Sequence, residues 1–208
     1  MGAADIPLEE RTNVTRRAFV AASLTAALGL TGCGNNSSPV TEDITDKIPF
    51  TSYTFNEAEF ILPKAWEELG MDAVDTDGFI SNEDDGGKFF FCIAESKMDY
   101  SKDDNQRYLM LYAETIADAY WSDYKLQADP DFILDSDYGV VNYDVDVYKN
   151  DEISEKGKMF VAMRDGWIIH GYIVFAADSY ENDQQAIAEK VAENVCFNSD
   201  WDFGSTEE

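Results

Sequence analysis

The chain has 208 residues, 45% of them hydrophobic and 13% aromatic, which suits one packed domain of ordinary size and excludes a disordered protein. Its 42 acidic side chains against 15 basic ones leave a net charge of −27. A surface that acidic is repelled by phosphate backbones and anionic headgroups, so nucleic acid is excluded as a partner, and the acid excess reads as solvated surface.

The N-terminus reads as an address. Arg16 and Arg17 precede an uncharged run from Ala18 to Leu30, which is the length of a signal h-region and too short to span a bilayer. Thr15-Arg16-Arg17-Ala18-Phe19 resembles the twin-arginine export signal, and Leu30-Thr31-Gly32-Cys33 resembles the bacterial lipobox, in which the Cys is lipidated and everything before it is removed. The two patterns stand in the right order and at the right distance. They imply a signal peptide over residues 1–32 and a membrane anchor of acyl chains on Cys33. The segment before Cys33 carries as many acids (Asp5, Glu9, Glu10) as bases (Arg11, Arg16, Arg17), so its removal leaves the charge at −27. Residues 33–50 are polar and without period, and read as the lipidated Cys followed by a flexible tether.

The domain is expected over residues 51–204, with 205–208 as a tail. Ala58–Leu62 reads as a strand stopped by Pro63, and Lys64–Leu69 as a single helical turn that places Trp66 inward and ends at Gly70. Gly78–Glu83 and Lys88–Glu95 predict a hairpin around Asp84-Asp85-Gly86-Gly87. Phe89–Ala94 is apolar on both faces, as a central strand would be. The spacing of Leu109, Tyr112, Ile116 and Ala119 predicts a helix from Asp103 or Asp104 to about Tyr124. After the break at Asp129-Pro130 come strands at Phe132–Leu134, Val140–Tyr148 and Lys158–Arg164. The middle one alternates Val141, Tyr143, Val145 and Val147 with Asn142, Asp144 and Asp146. Asp165-Gly166 turns the chain into the doubly apolar strand Trp167–Ala176, and Ile187, Val191 and Val195 align on a last helix from Asn182 to Cys196. Tight turns between neighbours predict an antiparallel β-sheet flanked by helices, an α+β sandwich in a single domain.

This order of elements resembles the PsbP-like superfamily, which includes the extrinsic photosystem II subunit and the bacterial DcrB and LpqN lipoproteins. The residues that carry the likeness are Phe60-Ile61-Leu62-Pro63-Lys64-Ala65-Trp66, supported by the early hairpin, the long helix, the Asp165-Gly166-Trp167 turn and the closing helix. The resemblance covers roughly residues 55–200. It implies an antiparallel sheet with flanking helices and a non-catalytic accessory or binding role at a membrane, and it carries over no catalytic residue.

The residues themselves offer little chemistry. The single histidine, His170, lies in a central strand and reads as a hydrogen-bonded core residue rather than a base. No nucleophile elbow, phosphate loop or dinucleotide fingerprint is present. Cys92 and Cys196 either pair in an oxidising compartment or stand as small buried hydrophobes. Asp75-Thr76-Asp77-Gly78-Phe79-Ile80 matches part of a calcium loop, with Asp84 where the bidentate Glu belongs, but Ala73 stands at the first position. A plain acidic turn explains it better. Asp144 and Asp146 share a strand face where a cation or only solvent would sit. Tyr120, Trp121 and Tyr124 present more aromatic surface than one helix stripe can bury, which either marks a partner-binding site or is covered by the second helix or a loop.

The expectation is therefore a membrane-anchored extracytoplasmic lipoprotein without enzymatic activity or cofactor, a binding or accessory module for an envelope protein. The alternative is a lipoprotein that binds a divalent cation such as Ca2+ or another small ligand. A hydrolase with an unrecognised site is the remaining class.

Overall fold

A computed structural model describes residues 44–56, 58–70, 75–95, 105–134, 138–164 and 166–197. The signal, Arg16, Arg17, Cys33 and the C-terminal tail lie outside the described residues, as do Asp103, Asp104 and Asp165.

Strands β1 (Phe50–Phe55) and β2 (Ala58–Pro63) form a hairpin turned at Asn56, which adopts a φ of 48°. The short strand β3 (Glu67–Glu68) pairs with β4 (Thr76–Ile80), and β4 pairs with β5 (Lys88–Glu95). Helix α1 (Asn105–Tyr120) leads to the short strands β6 (Tyr124–Leu126) and β7 (Asp131–Leu134), both laid on β8 (Tyr138–Lys149). The long hairpins of β8, β9 (Glu152–Arg164) and β10 (Trp167–Ala176) follow, then α2 (Asn182–Glu193) and β11 (Cys196–Phe197). Gly166, at φ 80°, supplies the left-handed backbone that the tight β9–β10 turn requires.

The pairings give two antiparallel sheets. One is β1-β2-β11; the other runs β3-β4-β5-β10-β9-β8-β6, with β7 also on β8. One face of the large sheet packs against the small sheet and α2 through Phe60, Phe79, Phe89, Phe91, Phe160, Phe175 and Trp66. Phe60 lies 4.7 Å from Phe91 and 5.1 Å from Phe89, ring centre to ring centre, and Phe89 stacks on Phe160 at 5.9 Å. Each such ring contributes about 1.5–3 kcal/mol by burial, and a tilted pair adds about 0.5–1.5 kcal/mol. The opposite face carries Val141, Tyr143, Val145, Met159, Val161 and Val174 under Leu109, Ala113, Ile116 and Ala117 of α1. The result is an α+β sandwich with the large sheet in the middle.

Several expected boundaries move. The packed domain includes residues before 51, because Ile44–Asp46 forms a 3-10 turn whose Ile44 is buried in the core, and Phe50 already belongs to β1. Lys64–Leu69 is not a helical turn: Trp66 is buried as expected, but Glu67 and Glu68 pair with Phe79 and Ile80 as β3. Helix α1 stops at Tyr120, Tyr124 belongs to β6, and Ala119 is exposed, with Ala113 and Ala117 in the buried stripe instead. The final helix ends at Glu193, and Cys196 lies in β11. Strand β9 begins at Glu152 rather than Lys158 because Asn150 and Asp151 take up left-handed φ and make a tight turn.

Candidate functional site

Helix α1 is shorter than the sheet it crosses. Alternation along β5 turns Phe89, Phe91 and Ile93 toward the small sheet and leaves Phe90 and Cys92 on the α1 side. Alternation along β10 does the same with His170 and Tyr172, and the register pairs His170 with Cys92 and Tyr172 with Phe90. Where α1 runs out, its last residue Tyr120 and the following Trp121 drop onto these side chains.

The outcome is a layer of five part-exposed rings. Phe90 stacks on Tyr172 at 5.6 Å, and Tyr120 meets Phe90 edge-on at 5.4 Å and Tyr172 at 5.0 Å. Trp121 tilts over Tyr172 at 5.0 Å, touches Tyr120 at 5.6 Å, and reaches Tyr124 on β6 at 6.1 Å. Each of the five keeps an intermediate exposure, so the layer is sealed below and open above. The three residues read from the sequence, Tyr120, Trp121 and Tyr124, are brought together. Phe90 and Tyr172 complete the set, and they were hidden because a strand apolar on both faces gives no sign of which face a helix covers.

Polar groups fix the layer. The Tyr120 hydroxyl lies 2.5 Å from His170 Nδ1. Burial pulls His170 down to about 4, so the ring is neutral at ordinary pH, and burial pushes the Tyr120 phenol well above its usual range. The partner of His170 is thus a phenol within an aromatic layer. Tyr124 donates to Asp118 Oδ1 at 2.8 Å; burial first, then that bond to Asp118, pushes its phenol up to about 12. Beside the layer a cleft of about 400 Å³ is lined by Lys88, Val147, Tyr148, Lys149, Ser154 and Glu155. The Lys88–Glu155 ion pair stands in it, and the Ser154 hydroxyl donates to the Val147 carbonyl.

The acidic candidates do not converge. Thr76–Ile80 is strand β4 and not a calcium loop, Asp75 accepts from the Asn56 side-chain amide at 2.9 Å, and Asp84 is exposed in the β4–β5 turn. Asp77 points inward on the face of Phe79 and is 3% exposed. Its Oδ1 accepts from the Gly78 N–H at 2.8 Å, while its buried Oδ2 has no hydrogen-bond partner among the described residues. Burial, reinforced by Glu68 and opposed by the Gly78 donor, pushes its carboxyl up to about 6. Asp144 and Asp146 share a strand face, but lysines occupy it with them: Lys158 lies 2.9 Å from Asp144 and Lys156 3.9 Å from Asp146. Among the described residues no group of three or more His, Cys, Asp or Glu side chains is placed to hold a metal ion. Cys92 and Cys196 are not paired. Cys92 lies on the α1 face of the large sheet, whereas Cys196 is exposed in the small sheet opposite Glu59.

No family model matches the chain, and no curated protein matches it in sequence. Solved structures do match. The solution structure of cyanobacterial PsbP (CyanoP) from Synechocystis superposes with a TM-score of 0.55 at 15% identity, over 80% of this chain and 99% of that one. The fold is PsbP-like. The Ran-binding protein Mog1p of Saccharomyces cerevisiae superposes at a TM-score of 0.50 and 8% identity, over 72% of this chain and 95% of that one. At such identities the likeness is one of fold.

Proposed function

We propose that the chain is a lipid-anchored, extracytoplasmic module without catalytic activity, held to the membrane through Cys33 and docking an envelope protein on the layer of Phe90, Tyr120, Trp121, Tyr124 and Tyr172. The observation that carries this reading is five rings joined in one chain of ring contacts, all left part-exposed where α1 stops short. Aromatic surface that a fold could have covered and did not is characteristic of protein contact sites. The histidine at the layer is engaged by the Tyr120 hydroxyl, and its register neighbour Cys92 directs its thiol to the Ile93 carbonyl. A non-enzymatic accessory role also agrees with the PsbP-like frame, one of whose neighbours is by name a binding protein. No helix among the described residues is long and apolar enough to cross a membrane, so attachment in this reading falls to the acyl chains.

Two measurements test it. Metabolic labelling with palmitate should mark the wild-type chain and not Cys33→Ser, and the variant should leave the membrane fraction. A photo-crosslinking residue in place of Trp121 in the full-length, membrane-bound chain should trap a discrete envelope protein, which the same probe in place of Asp84 should not. Equal capture from both positions removes the aromatic layer as the docking face.

A further inference from the structure

The aromatic layer also carries information about the charge of what it binds. Tyr124 is held by Asp118, its hydroxyl also reaches the Glu114 carbonyl at 3.3 Å, and Glu114 and Asp118 both push its phenol upward, so the two carboxylates border the rings. Asp123 follows in the loop between Trp121 and Tyr124. Among the described residues no cation pairs with Glu114, Asp118 or Asp123.

The described lysines nearest this side stand beside other acids. Lys88, on the face of Phe90, is bound to Glu155, and Lys149 stands opposite Glu152 across the β8–β9 turn. Lys125 follows Tyr124 but alternates to the opposite face of the sheet, where its register partner is Asp146. The layer therefore combines part-exposed rings with carboxylates that have no cation partner among the described residues, in a protein of net charge −27.

We infer that the occupant of this layer is a basic segment of the partner protein, with an arginine or lysine head stacked over Trp121 and Tyr172 and its charge met by Asp118 and Glu114. This rests on the docking face proposed above and adds the partner's chemistry. A cation over a Trp or Tyr face is attracted by the ring, and the neighbouring carboxylates make the site selective for cationic over anionic partners. A guanidinium meets both needs at once, since it stacks flat and presents a fork to a carboxylate.

The test uses the full-length chain in neutral detergent micelles and two labelled peptides, identical in their Leu and Gly positions, one bearing arginines and the other glutamates. Binding is read by fluorescence anisotropy. The arginine peptide should bind and the glutamate peptide should not. Trp121→Leu should weaken binding about tenfold, and Asp118→Asn, an exposed change that leaves the core intact, should weaken it several-fold. Asp84→Asn, which removes the same charge far from the layer, should leave it unchanged. Arginine-peptide binding that all three variants retain equally would mean general attraction to an acidic protein and would overturn the inference, as would no binding at all. The docking face can survive that failure: if the probe at position 121 traps a partner whose crosslinked segment is acidic or uncharged, docking stands and the basic-segment inference falls. If it traps nothing specific, both fall.

Discussion

The hydroxyl of Tyr120 and Nδ1 of His170 lie 2.5 Å apart, tying the last turn of α1 to the middle of β10. Desolvation holds the imidazole neutral, with its pKa drawn from 6.5 to about 4. In the unfolded chain the ring regains its ordinary value, so between pH 6.5 and 4 the unfolded state binds the proton and the folded state does not. The contribution is fully present above pH 6.5 and is lost as pH falls toward 4. His170→Gln should flatten that acid limb by roughly 2 kcal/mol in denaturant melts compared at pH 7 and pH 4.5. An unchanged limb would mean that the ring is more solvated than its position between the sheet and Tyr120 implies.

Asp77 titrates with the opposite sign. Its folded pKa is raised from 3.8 to about 6, so the folded state holds a proton that the unfolded state has released. Stability from this group is highest at acid pH and declines as pH rises through 6. Asp77→Asn keeps an acceptor for the Gly78 N–H and removes the buried charge. It should stabilise the protein by about 1–2 kcal/mol at pH 8 and by little at pH 4, read as the shift in thermal midpoint at each pH.

Lys158 is buried in the middle of β9, with its ammonium 2.9 Å from Asp144, whose side chain is 55% exposed. Removing the two partners should not cost the same. Asp144→Ala strands a buried ammonium and should destabilise by about 1–3 kcal/mol, whereas Lys158→Met leaves only a solvated carboxylate and should be neutral or stabilising. Denaturant midpoints of the two variants check the asymmetry; equal losses would show that the pair acts as an ordinary surface contact.

Gly171 of β10 lies opposite Phe91 of the neighbouring strand β5. A Cβ there would overlap the Phe90 carbonyl oxygen and press on the Phe160 ring. Gly171→Ala should therefore destabilise by about 2–3 kcal/mol and spread β5 from β10, loosening the aromatic layer from behind. Near-UV circular dichroism should fall with the melting temperature. Full retention of both would show that the β5–β10 pairing can adjust without strain.

The readable parts of this fold were those with a sustained period. The double apolar face of Phe89–Ala94, the alternation of Val141 to Val147, and the helical stripes through Leu109 and Ile187 each specify an element over many residues. Strands β3 and β11 have two residues each and no period, so they exist only because β4 and β2 offer them an edge. Strand β1 went unread: Tyr53 and Phe55 alternate with Ser52 and Thr54, but the run is short and follows a polar stretch without period. At the site, the adjacency of Tyr120 and Trp121 betrayed surplus aromatic surface. The roles of Phe90 and Tyr172 depended on where α1 stops, which is set by packing rather than by local propensity.

The pairing of β5 with β10 sets the order in which the protein can be completed. Strands β3, β4 and β5 reach the rest of the large sheet through this one seam, whose register runs from Trp167 opposite Glu95 to Val174 opposite Lys88. Until the ribosome has delivered β10, Phe89, Phe90 and Phe91 lie beside an open row of backbone donors and acceptors, a template for pairing with other chains. Chains truncated before Trp167 should therefore aggregate rather than persist as partial domains, and the two parts of the sheet join only once β10 has emerged.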